Sequence, residues 1–322
     1  MKDHHIMQKH IPQIDFLRCV FIVLMVLFHL VYIGDSYPMA KQVVYTFHMP
    51  GFLLISGFLA NASKGAKSFA RQLLWLLVPY IVMEAGYTVM ASLLPIREHI
   101  DRLTPMVMLE KLFVAPLGPY WYLHTLMVCY VVNYLLHGIF VRLLPRAGLV
   151  SQLCVMGVVF WWLSCALHLL DFSNALYFLA GVLVRCSGVG FLSVFRASWV
   201  ALLPLVLLVL FTPSESLHRF TLQGFAITYM VICFLLAAEQ VLPSKLHRLS
   251  VYIGSNTLPI LLFSPVFTAL VKPLVGILSF DPSGVVFALV AVPLCIGGSM
   301  AIAWLMDKSR VSRWFSGKPL LR

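Results

Sequence analysis

Three ionisable side chains interrupt the hydrocarbon stretch IDFLRCVFIVLMVLFHL, residues 14–30: Asp15, Arg18 and His29. Arg18 and His29 are eleven residues apart, which on a helix is about 20° past three full turns and about 16 Å along the axis. They share one face, and Asp15 sits three residues before Arg18, where carboxylate and guanidinium can pair. Ionisable groups inside an apolar span are costly and are functional candidates by default. An imidazole held neutral by its surroundings is a base able to take a proton from a hydroxyl and make it a nucleophile.

Two further histidines belong with His29. FHMPGFLLISGFL carries His48, and GPYWYLHTLM carries His124. With alternate helices running in opposite directions, all three fall at a similar depth, roughly 6–8 Å below one apolar edge. Pro50 and Gly51 are expected to interrupt the helix of His48 and open its backbone toward a cavity. Trp121 and Tyr122 sit where interfacial aromatics anchor helices, although a Trp ring also stacks on sugars. Each group has a plainer role open to it. Arg18 either snorkels to lipid phosphates or holds an anion, and His29 either bonds structurally or acts as a base. Lys64, Lys67 and Arg71 either mark the cytoplasmic side or cradle phosphates. No carboxylate or thiolate lies level with the histidines, so no metal site is expected.

The elements that must position these residues are membrane helices. Hydrophobic residues make up 61% of the 322-residue chain and charged ones 11%, well below the roughly 25% charged residues of a soluble domain. The apolar runs suit helices of about 20 residues. The expected fold class is all-α, a polytopic membrane bundle of about ten helices at 14–33, 43–60, 72–95, 119–140, 148–170, 174–190, 196–212, 220–241, 250–272 and 284–306. It forms one transmembrane domain over 1–322, with a polar start (1–13), an uncleaved first helix and a basic tail (307–322). The outer segment 95–118 has room for a short interfacial helix. Of the 23 Lys and Arg residues, sixteen fall on the side of the N-terminus and six on the other, with Arg18 inside the first helix. Both termini are therefore expected in the cytoplasm, and the net charge of +11 is a topology signal rather than a nucleic-acid patch. The seven cysteines stand singly, with no CxxC pair and no disulfide framework indicated. Oligomeric state has no signature in the sequence.

These residues resemble the acyltransferase family 3 membrane proteins. IDFLRCVFIVLMVLFH matches the signature with a histidine eleven residues after an arginine, and FHMPGFLLISGFL is similar to the second-helix motif. KSFARQLLWLLVPY, YWYLHTLM, YFLAGVLVR and IGSNTLPILLF resemble later motifs in matching order. The chain departs from the pattern at Gln72 and Trp75, where further basic residues are usual, at Tyr122 in place of Phe, and at Ser264 in place of His.

The resemblance implies a membrane O-acyltransferase. Such an enzyme moves an acyl group, usually acetyl, from cytoplasmic acyl-CoA to a hydroxyl of a sugar, glycan or related acceptor at the outer face of the bacterial inner membrane. On that expectation Arg18, His29 and His48 are catalytic, with His29 the base and His48 or Asn and Ser groups at the oxyanion. Arg18, Lys64, Lys67 and Arg71 contact the donor acetyl-CoA, and Asp15, Trp121, His124 and Asn256 contact substrate. The expected partners are membrane lipids, the acyl-CoA and the acceptor. The rival expectation is a transporter that uses the same polar residues to move a solute; it predicts paired repeats, and the sequence shows none.

Overall fold

A computed structural model describes residues 11–94, 98–146 and 148–322. The segment 1–10 with Lys2 and Lys9, and also Arg97, were counted in the charge balance and lie outside the described residues. Every regular element described is helical. The first half comprises α1 (Pro12–His29), α2 (Val31–Ser36), α3 (Pro38–Leu59), α4 (Ala66–Leu93), α5 (Pro105–Phe113), α6 (Trp121–Leu143) and α7 (Leu149–Cys165). The second comprises α8 (Phe172–Cys186), α9 (Phe191–Val194), α10 (Leu202–Phe211), α11 (Leu222–Gln240), α12 (Ser244–Ser255), α13 (Thr257–Leu270), α14 (Leu274–Ile277), α15 (Val285–Lys308) and α16 (Val311–Ser316). Proline opens α1, α3 and α5, where its missing N–H has no intrahelical acceptor to lose.

Among the described residues, six helical segments are long and apolar enough to cross a membrane, or seven if the bent pair α12–α13 is one span. The chain is an integral, multi-pass membrane protein. Each of the ten expected stretches overlaps a helix, but α7, α8 and the segment Trp199–Phe211 are shorter apolar helices, so six or seven of the ten have the length of a span. At 17 residues α7 is about 25 Å long, somewhat less than a hydrocarbon core of about 30 Å.

The most apolar window of α3 is 72% buried, whereas those of α4, α6 and α15 are 28% buried, so α3 is the central helix. Leu74, Val78, Val82 and Val89 form an exposed stripe on α4, the face left for lipid. Small residues set the tightest approaches, as expected where lipid supplies no hydrophobic drive between helices. A Cβ at Gly57 would lie 2.0 Å from the Phe178 carbonyl oxygen, and one at Gly181 2.0 Å from that of Leu54, so α3 and α8 meet backbone to backbone. Gly254 does the same for α12 against α1, where a Cβ would stand 1.7 Å from the Asp15 carbonyl oxygen.

Four expectations change. The first helix stops at His29, with Leu30 extended (φ −70°, ψ 103°), and resumes as the short α2. The helix of His48 is not interrupted: α3 runs through Pro50, and Gly51 lies under the Phe21 ring of α1. The third helix starts at Ala66, so Lys67 and Arg71 belong to its first turns rather than to a loop. The ninth breaks at Asn256 with an 84° bend. A short helix, α5, does occupy the long segment before α6, capped by the Thr104 hydroxyl accepting from the Val107 amide at 3.2 Å.

Candidate active site

Arg18 lies where α1 meets the break between α12 and α13. Its Nη1 donates to Asp15 Oδ1 at 3.0 Å and its Nη2 to Thr257 Oγ1 at 2.8 Å. Two fixed acceptors hold the planar guanidinium at one end of the bundle. It lines a cavity of about 230 Å³ together with Gln72, Trp75, Tyr122, Thr257 and Arg322. Lys64 reaches the same place, its Nζ donating to Gln72 Oε1 at 2.7 Å. Burial, and then the charge of Arg185, hold the Lys64 ammonium below its ordinary pKa.

At the opposite end of α1 the chemistry is different. His29 Nδ1 lies 2.6 Å from the Met25 carbonyl oxygen, and His48 Nδ1 lies 2.7 Å from that of Val44. A carbonyl oxygen only accepts, so in both rings Nδ1 carries the hydrogen; the neutral ring then keeps a lone pair on Nε2. Each imidazole is thus oriented by the carbonyl one turn before it on its own helix. Tyr45 packs between them, its ring centroid 6.3 Å from that of His29 and 5.1 Å from that of His48. Both histidines line one cavity of about 230 Å³ with Met25, Tyr45, Trp121 and Arg219.

Met49 and Leu261 line both this cavity and the arginine cavity, so two side chains are a common wall between them. On the other side, Tyr45 and Arg219 also line an open vestibule of about 1160 Å³, with Asp35, Lys41, Trp161 and Asp171 at its wall. Arg219 is held by Asp171 at 3.2 Å and lies 5.7 Å from the Trp121 ring centroid. Its own carbonyl accepts from the Tyr177 hydroxyl at 2.9 Å, which fixes the preceding loop to α8.

Of the residues singled out in the sequence, Arg18, His29, His48 and Trp121 line two adjoining cavities, and Asp15 and Lys64 bond to Arg18 and Gln72 at the wall of the first. Four others lie elsewhere. His124 Nε2 donates to the Phe113 carbonyl at 3.0 Å and its ring packs 6.0 Å from Tyr80, and it does not line the His29–His48 cavity. Lys67 and Arg71 are exposed and line neither cavity. Asn256, 1% exposed, holds the helix break: Nδ2 donates to the Tyr252 carbonyl and Oδ1 accepts from the Arg322 amide, both at 2.8 Å. Sequence reasoning missed Arg219, Thr257 and Arg322 as site residues. Arg219 and Arg322 were counted only as topology charges; an outer arginine within a short loop, with Asp171 in the loop before, was the available signal. Among the described residues no group of three or more His, Cys, Asp or Glu side chains is arranged to hold a metal ion.

The family model described as an acyltransferase domain matches residues 11–306. The chain belongs to the acyltransferase family 3, and it is a membrane acyltransferase. Comparison with curated proteins and with solved structures gave no match.

Proposed function

We propose that this acyltransferase carries an acetyl group from acetyl-CoA, entering at the Arg18 end, to a hydroxyl of a sugar, glycan or related acceptor seated in the open vestibule. The observation that supports this reading most strongly is the pair of imidazoles whose Nδ1–H groups are committed to backbone carbonyls. Each leaves Nε2 free as a proton acceptor in a cavity bordered by the two spaces that donor and acceptor would occupy. CoA is a cytoplasmic metabolite, so the Arg18 end faces the cytoplasm, as the excess of basic residues also favours. Both chain termini are then cytoplasmic, in a bacterial plasma membrane.

In this mechanism the acceptor hydroxyl oxygen attacks the thioester carbonyl carbon while His29 Nε2 takes the hydroxyl proton. The tetrahedral intermediate collapses, the C–S bond breaks, and the imidazolium returns the proton to the leaving thiolate. His48 Nε2 accepts from a neighbouring hydroxyl of the acceptor and so orients it beside His29. A neutral His48 with Nδ1–H committed has no N–H left for an oxyanion, so the stabilising charge comes instead from Arg219. Asp15 and Thr257 keep Arg18 aimed, and Trp121 offers a face for a sugar ring.

The test compares cells bearing the wild type and His29→Ala at equal protein levels, measuring ester-linked acyl groups on surface glycans and secreted small molecules by mass spectrometry. The expected result is a glycan or metabolite that loses its O-acetyl group in the variant. Identical acyl-ester content in the two strains would reject the reading.

A further inference from the structure

The segment Lys318–Arg322 lies beyond the stretch that matches the family, which ends at residue 306, yet it folds back onto the arginine cavity. Its backbone is fastened by side chains from three places. Asp307, near the end of α15, accepts from the Leu320 amide at 2.8 Å and from the Leu321 amide at 2.9 Å. Asn256, at the α12–α13 break, accepts from the Arg322 amide. The Ser316 hydroxyl donates to the Lys318 carbonyl at 2.7 Å. Leu320 is 3% exposed and lines the cavity. A carboxylate receiving two amides is a charge-assisted clamp, so this segment is held in a defined place.

What the clamp positions is positive charge. Lys318 Nζ stands 3.5 Å from the centroid of the Trp75 ring, and the Arg322 guanidinium 5.8 Å from the same ring. Lys64 reaches Gln72, one turn earlier on α4. Burial first, and then the nearby charges of Arg322 and Lys64, push the Lys318 ammonium below its ordinary pKa. Arg322 also lines an adjoining cavity of about 630 Å³ with Arg18, His247 and Arg248. Among the described residues, the side-chain carboxylates at this end are engaged elsewhere: Asp15 with Arg18, Asp307 with the two amides, and Glu239 with His247 at 2.9 Å. A multiply charged anion at the join of the two cavities would relieve this repulsion.

We propose that Lys318 and Arg322 are donor-binding residues, forming with Arg18 and Lys64 the cationic rim that holds the phosphates of a nucleotide-bearing thioester. This rests on the reading of the Arg18 end as the donor side. Trp75 is then the surface against which the tail cations are seated, and Gln72 the group that holds Lys64, in place of cations at those two positions of α4. The phosphates lie at the wider, basic cavity and the uncharged arm of the donor enters the narrower one toward Met49 and Leu261.

The experiment is equilibrium binding of CoA, and separately of pantetheine, which lacks the phosphates, to the purified full-length chain in detergent. The double variant Lys318→Ala/Arg322→Ala is expected to bind CoA roughly 10- to 100-fold more weakly, the scale of losing two charge-assisted contacts, while pantetheine binding stays unchanged. Lys318→Gln/Arg322→Gln keeps most of the side-chain stem on Trp75 and guards against loss of fold; it is expected to show the same selective loss. Exchanging the two cations, Lys318→Arg/Arg322→Lys, should restore most of the affinity. Unchanged CoA binding in the Ala and Gln variants overturns the proposal, and tighter binding overturns it in favour of a tail that plugs the cavity. A wild type that binds no CoA removes the donor reading and this inference together, so the two failures are distinguishable.

Discussion

The two ends of α1 solve opposite problems with the same apolar scaffold. At the Arg18 end, Asp15 and Thr257 accept from the guanidinium and hold it in place, and further cations gather around it. At the other end, His29 and its neighbour His48 are each tied to a backbone carbonyl on their own helix, leaving one nitrogen of each ring uncommitted. An anchored charge suits recognition of a charged ligand, and an oriented neutral imidazole suits proton transfer. Separating them by three helical turns lets one helix bind at one depth and react at another. The division predicts that substitutions at the two ends fail in different observables.

The largest effect belongs to the histidine end. His29→Ala should lower acyl transfer by about 10³-fold, within the range for a positioned general base, with CoA binding changed by no more than about twofold. His29→Gln should be nearly as poor, because its amide supplies no basic nitrogen. Turnover and binding measured on one preparation would check this. A parallel fall in both would break the division between the two ends.

Arg219 comes next. Arg219→Ala should reduce turnover by about 10²-fold, the effect of removing one stabiliser of a developing oxyanion. Arg219→Lys should recover part of this, since it keeps the charge but loses the fork that meets Asp171. Asp171→Asn leaves the cation in place and should cost about tenfold or less. An Arg219→Ala enzyme as active as Asp171→Asn would mean that the guanidinium only braces the loop.

This contrast also explains what the sequence made visible. Arg18 and His29 stand out because an ionisable side chain in an apolar run is conspicuous at any distance from its partners, and the helical repeat alone places both on one face. Arg219, Thr257 and Arg322 are not conspicuous in that way: a loop arginine, a helix-start threonine and a tail arginine have ordinary local explanations. Their roles arise from contacts across 239 residues for Arg18 with Thr257 and 66 for Arg322 with Asn256, which no short-range pattern encodes. His124 shows the reverse error. Depth along a helix was legible, but which way the ring turns was decided by the Phe113 carbonyl at the end of α5. The existence of the longer helices was legible from hydropathy, whereas the short α9, α14 and α16 and the breaks at Leu30 and Asn256 were not; neither break carries a proline or glycine at the break itself.

Smaller effects belong to the Arg18 end, and there they should appear in binding. Arg18→Lys retains a charge but cannot serve Asp15 and Thr257 in one plane, and about tenfold weaker CoA binding is expected with near-normal turnover at saturation. Gly254→Ala should reproduce much of this without touching a charge. A Cβ there would collide with the Asp15 backbone, forcing α12 from α1 and carrying Thr257 away from Arg18, with about 1–3 kcal/mol lost in stability. A thermal melt and a CoA titration on each variant separate the two causes: Arg18→Lys should melt close to the wild type, Gly254→Ala several degrees lower.

The smallest expected effect is the sharpest test of where the donor phosphates lie. Lys67 and Arg71 resemble the basic stretch of the family in sequence, yet both are exposed on the first turns of α4, line neither cavity and, unlike Lys64 on Gln72 and Lys318 on Trp75, reach no described side chain that lines one. An exposed cation a few residues outside a site contributes through screened charge alone. Lys67→Ala and Arg71→Ala should therefore weaken CoA binding by about twofold or less, and that remnant should vanish as salt is raised. Lys64→Ala, which removes the cation reaching Gln72, should have the larger effect of the three and retain part of it at high salt. If Lys67 or Arg71 proves stronger than Lys64, the phosphates sit over the start of α4, outside the cavities defined by Arg18 and the tail.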